Sequence, residues 1–299
     1  MTDGDIISIC DVQNRRLDKG FKLTRVGVTG VKKPIRVKRN GKIDLICETL
    51  ACDIDVFVDL PSDQKGSHLS RNLEIIREVV DESVREPVNG IENLAASICK
   101  RLLDRHEYAS VGEVQIAADY FRESETPNGR ETLEFYRLFG EALGKRDGET
   151  IKTIGVEVIG MTACPCAMET VRSALEEGVV NGDFPTISHN QRNICTLMIT
   201  MPEEIDLEAN DLIDLVESSF SSPTYEILKR GDEAAVVTNA HKNPKFVEDV
   251  VRDVLMRILL RYPTLPDNIV VMVRSESEES IHKHNAFAER ITTLGELRI

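Results

Sequence analysis

The stretch TRVGVTGVKKPIRVKRNGKIDLICETLACDIDVFVDLP, Thr24 to Pro61, holds two runs dense in β-branched residues with Asn40-Gly41 between them. An Asn-Gly pair between two such runs is the strongest short-range signal for a hairpin, so a long antiparallel hairpin is expected. Six cations crowd it: Lys32, Lys33, Arg36, Lys38, Arg39 and Lys42. A solvated hairpin face accounts for them, with a local pocket for an anionic ligand as the alternative.

Downstream, IENLAASICKRLLDRH places Ile91, Leu94, Ala95, Ile98, Cys99, Leu102 and Leu103 at helical spacing. Cys99 falls in that apolar stripe and reads as core. SVGEVQIAADYF and ETIKTIGVEVIGM read as strands, and ETLEFYRLFGEALG between them has mixed propensity. The first half is therefore hairpin, helices, strands.

The second half repeats that order. ICTLMITMP is strand-like, LEANDLIDLVESSF helical, and NPKFVEDVVRDVLMRILLRYP is the clearest helix, with Pro244 near its start and Pro263 beyond its end. DNIVVMVRSES then alternates like a strand, and IHKHNAFAERITTLGELRI supplies the last one. Two ββααββ modules of antiparallel sheet are expected in an α+β chain, residues 1–165 and 166–299, packed as one unit.

Bulk composition sets limits on function. The chain has 299 residues, 41% hydrophobic, and a formal net charge of −14. That balance argues against nonspecific nucleic-acid binding, which needs a basic footprint. No apolar run approaches the ~18–20 residues of a membrane span, and MTDGDIISIC lacks a basic-then-apolar leader, so a cytoplasmic location is expected. The seven scattered cysteines do not form the framework of a small secreted domain, and reduced thiols are expected.

Chemistry concentrates in GMTACPCAMET, Gly160 to Thr170. A four-ligand structural zinc site needs a second close cysteine pair, which is missing, and a redox pair of the thioredoxin kind is spaced Cys-x-x-Cys. What fits better is one thiol at a strand-to-helix transition, since Pro165 breaks the ladder and AMETVRSALEEG can begin a helix. A thiol beside free helix N–H groups ionises more readily and can bind a metal or attack. Cys166 is nearer the helix start and Cys164 the strand end; simple packing of both remains an alternative.

A lone ligand needs company. ISHNQR puts His189 in a polar cluster before a strand, and EESIHKH offers Glu279 with His282, or His282 with His284. LKRGDE and NPKFVED add Glu233 and Glu248, and by spacing alone Glu248 is an ordinary solvated side chain.

The order CDVQNRR, KGSHLSR, ACPCA, SHNQR, LKRGDE, NPKFVEDVVRDV, ESIHKHNAFA spans nearly the whole chain. Together these resemble the GTP cyclohydrolase family that is distinct from the common zinc-dependent folate enzyme. The 22 residues between Cys166 and His189 are similar to its archaeal branch, which starts methanopterin synthesis. The resemblance implies the tunnelling fold, with a barrel closed by a homo-oligomer, dimer or tetramer, and sites at subunit interfaces. It implies that metal-activated water opens the imidazole of GTP at C8, releasing formate and giving 7,8-dihydroneopterin 2',3'-cyclic phosphate plus diphosphate. The metal implied is Fe(II), with Zn(II) or Mn(II) as alternatives.

Carried over by motif, the ligands are Cys164 or Cys166, His189, Glu233 and His282, with Glu279 beside the metal, and His189, Glu279 or a nearby group is expected to carry protons. Glu248 becomes the anchor of the guanine edge. Arg192, Lys229 and Arg230 are candidates for the triphosphate, while Lys65, His68 and Arg71 of KGSHLSR fit either a neighbouring subunit's site or a surface loop. Alternatives are the folate-type branch, making 7,8-dihydroneopterin triphosphate, another tunnelling-fold pterin or deazapurine enzyme, and a non-catalytic metal or redox module built on CPC.

Overall fold

The computed structural model describes residues 12–16, 20–40, 45–180, 182 and 186–298. The opening hairpin is there: β1 (Leu23–Asn40) pairs antiparallel with β2 (Leu45–Leu60), closing at Asn40 opposite Leu45. Residue 41 of the expected Asn-Gly turn, and Cys10, lie outside the described residues. Pro34 sits inside β1 without breaking the ladder because β1 ends the strand order, its outer side meeting only a short bridge to Val88 among the described residues.

Helices α1 (Leu69–Arg85) and α2 (Ile91–Arg105) follow, then β3 (Val111–Glu125) and β4 (Glu131–Lys145). β4 is the segment of mixed propensity. Its inward residues include Thr132, Glu134, Tyr136 and Leu138, while Leu133 and Phe135 point outward into the open. Apolar residues on both faces blur the period of two that a half-buried strand normally shows.

The chain continues with β5 (Thr150–Ala163), α3 (Pro165–Glu176), β6 (Asn190–Pro202), α4 (Ala209–Glu217), β7 (Ser222–Pro223), α5 (Arg230–Lys242), α6 (Val247–Arg261), β8 (Val270–Glu278), β9 (Ala286–Thr293) and α7 (Leu294–Leu297). The pattern ββααββ recurs in β5, β6, α4, α6, β8 and β9, with α3, β7 and α5 inserted, so this second set of elements begins at Thr150, inside the stretch 1–165 expected for the first module. Among the described residues the strands form one antiparallel sheet in the order β1-β2-β3-β4-β5-β6-β8-β9, with β7 on β5.

One face of that sheet carries the helices and the core. Ile75, Ile76, Leu94, Ile98 and Leu102 are fully buried against Ile54, Val56, Ile116 and Leu138, each contributing about 1.5–3 kcal/mol as an upper estimate. α2 lies so close to β4 that a Cβ on Gly140 would stand 2.5 Å from the backbone nitrogen of Glu92. Cys99 is buried there, as its stripe implies, and desolvation pushes its thiol up to about 12. No helix among the described residues is long and apolar enough to cross a membrane.

The strand registers set one consequence for function. The start of β6 (Asn190), the ends of β5 (Ala163) and β8 (Glu278), and the β3–β4 turn all fall at the same end of the sheet.

Candidate active site

At that end the two cysteines of CPC take different positions. Cys164 follows the last residue of β5 and is the N-cap of α3, with Pro165 in the first turn where its missing N–H is harmless. Its backbone N–H donates to His189 O at 3.1 Å, its carbonyl accepts from Ser188 Oγ at 2.6 Å, and its Sγ accepts from Ala167 N–H at 3.4 Å. Cys164 is half-buried, whereas Cys166 is exposed on the first turn of α3. The strand end therefore sets Cys164 directly across from His189.

The β6–β8 ladder pairs Arg192 with Glu278, which brings Glu279 beside His189. His189 and Glu279 side chains are each only 11% exposed, with Nδ1 3.7 Å from Glu279 Oε2 and 3.4 Å from Ser280 Oγ. Gln191 Nε2 donates to Glu279 Oε1 at 3.4 Å. The His282 ring meets His189 edge-on at 6.5 Å between centroids and stacks on His284 at 5.1 Å. Residues 279–285 form no helix or strand, so the Glu279–His282 proximity comes from a loop. Arg192 points away, exposed, 3.7 Å from Glu278.

Glu248 reaches the same end by a backbone bond. Lys245 N–H donates to Ala163 O at 3.0 Å, pinning the start of α6 next to Cys164, and Glu248 is an exposed residue of its first turn. α5 is tied in at its other end, where His241 Nε2 lies 3.3 Å from Ser188 O.

Glu233, Lys229 and Arg230 sit elsewhere, at the N-terminus of α5. Eight residues at 1.5 Å each put Glu233 about 12 Å along the axis from His241. Here Lys229 and Asp232 line a cavity of about 450 Å³ with Asn128, Gly129 and Arg130 of the β3–β4 turn. Gly129 takes a φ of 74°, which its missing side chain permits. Asp232 locks turn to helix, accepting from Asn128 N–H at 3.0 Å and Lys229 N–H at 3.2 Å. Burial opposes its ionisation, but hydrogen bonds from Thr126, Lys229 and Asn128 outweigh that and hold its carboxyl below the usual range.

The structure thus brings Cys164, His189, Glu279 and His282 to one strand end, with the start of α6 and its Glu248 beside them, and leaves Glu233, Lys229 and Arg230 on a separate shoulder. Among the described residues no three His, Cys, Asp or Glu side chains stand close enough to hold a metal ion as a set. The sulfur, imidazole and carboxylate donors at the strand end are nonetheless of the kinds that Fe(II) and Zn(II) accept, and they fit such an ion by donor type. Gln191 and Ser280 are the contacts that spacing did not single out; Gln191 lay within the SHNQR cluster without a signal of its own.

An antiparallel sheet with helices on one face and this group at a strand end defines a tunnelling-fold protein. In overall fold the chain is similar to the uricase of Arthrobacter globiformis, with a TM-score of 0.53 at 9% identity over 90% of this chain and 93% of that one. The chain belongs to the family of type I GTP cyclohydrolase folE2, which it matches over residues 9–288. It is 43% identical to "GTP cyclohydrolase MptA" of Methanobrevibacter smithii over 98% of both chains, and 44% identical to the protein of that name in Methanothermobacter thermautotrophicus, over 98% of this chain and 96% of that one. The Methanocaldococcus jannaschii protein of the same name is 42% identical, over 97% of this chain and 96% of its own.

Proposed function

We infer that this chain is a GTP cyclohydrolase of the methanopterin-type branch. It opens the imidazole of GTP at C8 and yields formate, diphosphate and 7,8-dihydroneopterin 2',3'-cyclic phosphate. The observation that carries this reading is relatedness at 42–44% identity to proteins named GTP cyclohydrolase MptA over nearly the whole chain. Convergence of Cys164, His189 and Glu279 at one strand end supports it.

The ion would be held by Cys164, His189 and His282; the family motif adds Glu233, which lies at the other end of α5 within one chain and would have to come from a neighbouring copy. When bound, a divalent ion supplies Lewis acidity that brings ionisation of water toward neutral pH. Fe(II) is the expected ion, with Zn(II) and Mn(II) as alternatives.

The chain's own residues do the rest. Glu248 accepts from the ring N1–H and the exocyclic amino group of guanine, two parallel bonds that adenine cannot offer. Glu279, next to His189 Nδ1, takes the proton released when water adds to C8 and returns it to the departing ring nitrogen as the C8–N9 bond breaks. A second water then cleaves the formamide to formate, and the ribose rearranges before the pterin ring closes. Lys229 and Arg230 meet the triphosphate from the N-terminus of α5, whereas Arg192, exposed and turned to Glu278, is a candidate by motif alone. Lys229 opens on the cavity that Arg130 also lines, which gives an anionic chain room beside two cations.

β1 and β9 end the strand order, and apart from the bridge of β1 to Val88 their outer sides carry no strand among the described residues, so association of copies into a closed barrel is the natural use of both. Replacing Glu248 by Ala should raise KM for GTP at least about 100-fold, as loss of two charge-assisted bonds implies, while metal content stays intact. Loss of metal with unchanged KM would contradict that role.

A further inference from the structure

The inward face of the β5–β6–β8 ladder carries a polar column. Thr162, Asn193, Ser275 and Ser277 are each at most 1% exposed. Asn193 Nδ2 donates to Ser277 Oγ at 2.8 Å, Ser275 Oγ donates to Asn193 Oδ1 at 2.9 Å, and Thr162 Oγ1 meets Ser277 Oγ at 3.2 Å. Every side chain of that column has a partner.

Gln191, on the same face two residues before Asn193, departs from this rule. It is 8% exposed, its Nε2 donates to Glu279 over a long 3.4 Å, and among the described residues its buried Oε1 has no hydrogen-bond partner. With its nitrogen turned to Glu279, the amide leaves its oxygen stranded. A buried acceptor without a partner is destabilising, and a fold that satisfies the neighbouring groups keeps such a defect where it serves function.

We propose that Gln191 is a positioning residue for the reaction: its amide holds the Glu279 carboxylate against His189, where the proton released at C8 must go. The inference rests on the reading above, that this end of the sheet is the cyclohydrolase site. Gln191 reaches Glu279 and would act through that carboxylate. Positioning of this kind sets the rate of a proton transfer and leaves substrate affinity alone, because the group it orients matters in the transition state.

The test is Gln191→Met, which keeps length and removes both amide groups. Expected are a kcat lower by about 10–100-fold, in the range for loss of a partner that orients a site residue. KM for GTP, and the GTP dissociation constant of metal-depleted protein, should be unchanged, and Tm should stay within a few degrees of the parent, because Glu279 loses a donor while the stranded acceptor is removed. In a Glu279→Ala background the same substitution should have no further effect on kcat, since its effect passes through that carboxylate.

A parent-like kcat in Gln191→Met would overturn the proposal, as would a fall of Tm by several degrees or an equal loss in the Glu279→Ala background. Wild-type protein that fails to consume GTP would instead overturn the functional reading. The two failures are therefore separable within one set of assays.

Discussion

Two histidines of this chain show how differently one residue type can be used. His106 is fully buried at the end of α2, with Nε2 2.6 Å from Asn72 Oδ1 and Nδ1 2.8 Å from the Tyr108 hydroxyl. Tyr108 in turn meets Ser67 Oγ at 2.7 Å. Both ring nitrogens are spent, and burial together with the Arg71 and His68 charges pushes its pKa down to about 4. His189 keeps 11% exposure, and its Nδ1 contacts to Ser280 and Glu279, at 3.4 and 3.7 Å, are long. A histidine with short bonds at both nitrogens belongs to the architecture; one with loose polar neighbours at a strand end is free to take a new partner. The cysteines divide the same way, Cys195 buried with its thiol pushed up to about 12, Cys164 half-buried at a helix start.

That contrast is sharpest in paired substitutions. His189→Ala should abolish GTP turnover and metal retention while leaving Tm within a few degrees. His106→Leu should do the reverse, lowering stability by roughly 2–4 kcal/mol because Asn72 and Tyr108 lose their shared partner, with turnover per folded molecule unchanged. Thermal melts alongside initial rates read both, and equal losses of activity in the two variants would break the comparison.

Next in size is the cysteine pair. Cys164→Ala should empty the site of metal, whereas Cys166→Ala should keep metal and lose at most a few-fold in rate, since only Cys164 is tied across the strand end to His189. Metal analysis of the two purified variants decides it, and retention by Cys164→Ala with loss in Cys166→Ala would reverse the assignment.

The smallest effect is a pH slope. His106 stays neutral in the folded chain down to about pH 4, while its unfolded counterpart takes a proton near 6.5. The unfolded state therefore binds more protons between those values, so stability falls as pH falls through that window, by on the order of 3 kcal/mol from this group. The contribution is absent above pH 6.5. Melts from pH 7 to 4.5 should show a shallower decline in His106→Leu than in the parent; parallel curves would contradict the buried, neutral assignment.

Much of the fold is legible in the residues because burial imposes a period. Val250, Val254 and Ile258 repeat along α6, and the β-branched runs around Asn40-Gly41 form the hairpin they imply. α5 was not anticipated, since its buried stripe is only Asp232, Val236 and Ala240, too thin and too polar to stand out. The candidate residues were legible as motifs, but their grouping was not. Glu279 meets His189 because Arg192 pairs with Glu278, a register set by two strands far apart in sequence. Glu233 shows the same limit from the other side, since α5 sets it about 12 Å along the helix axis from His241, the α5 residue that meets Ser188.

The central claim is that this strand end turns GTP into a cyclic phosphate product. Its most direct test is metal-depleted protein reconstituted anaerobically with Fe(II), Zn(II) or Mn(II) in turn, incubated with GTP, and followed by formate release and product mass. One formate per GTP consumed is expected, fastest with Fe(II), with diphosphate and the mass of 7,8-dihydroneopterin 2',3'-cyclic phosphate. A triphosphate product would move the chain to the folate-type branch, and no GTP consumption with any of the three ions would contradict the account.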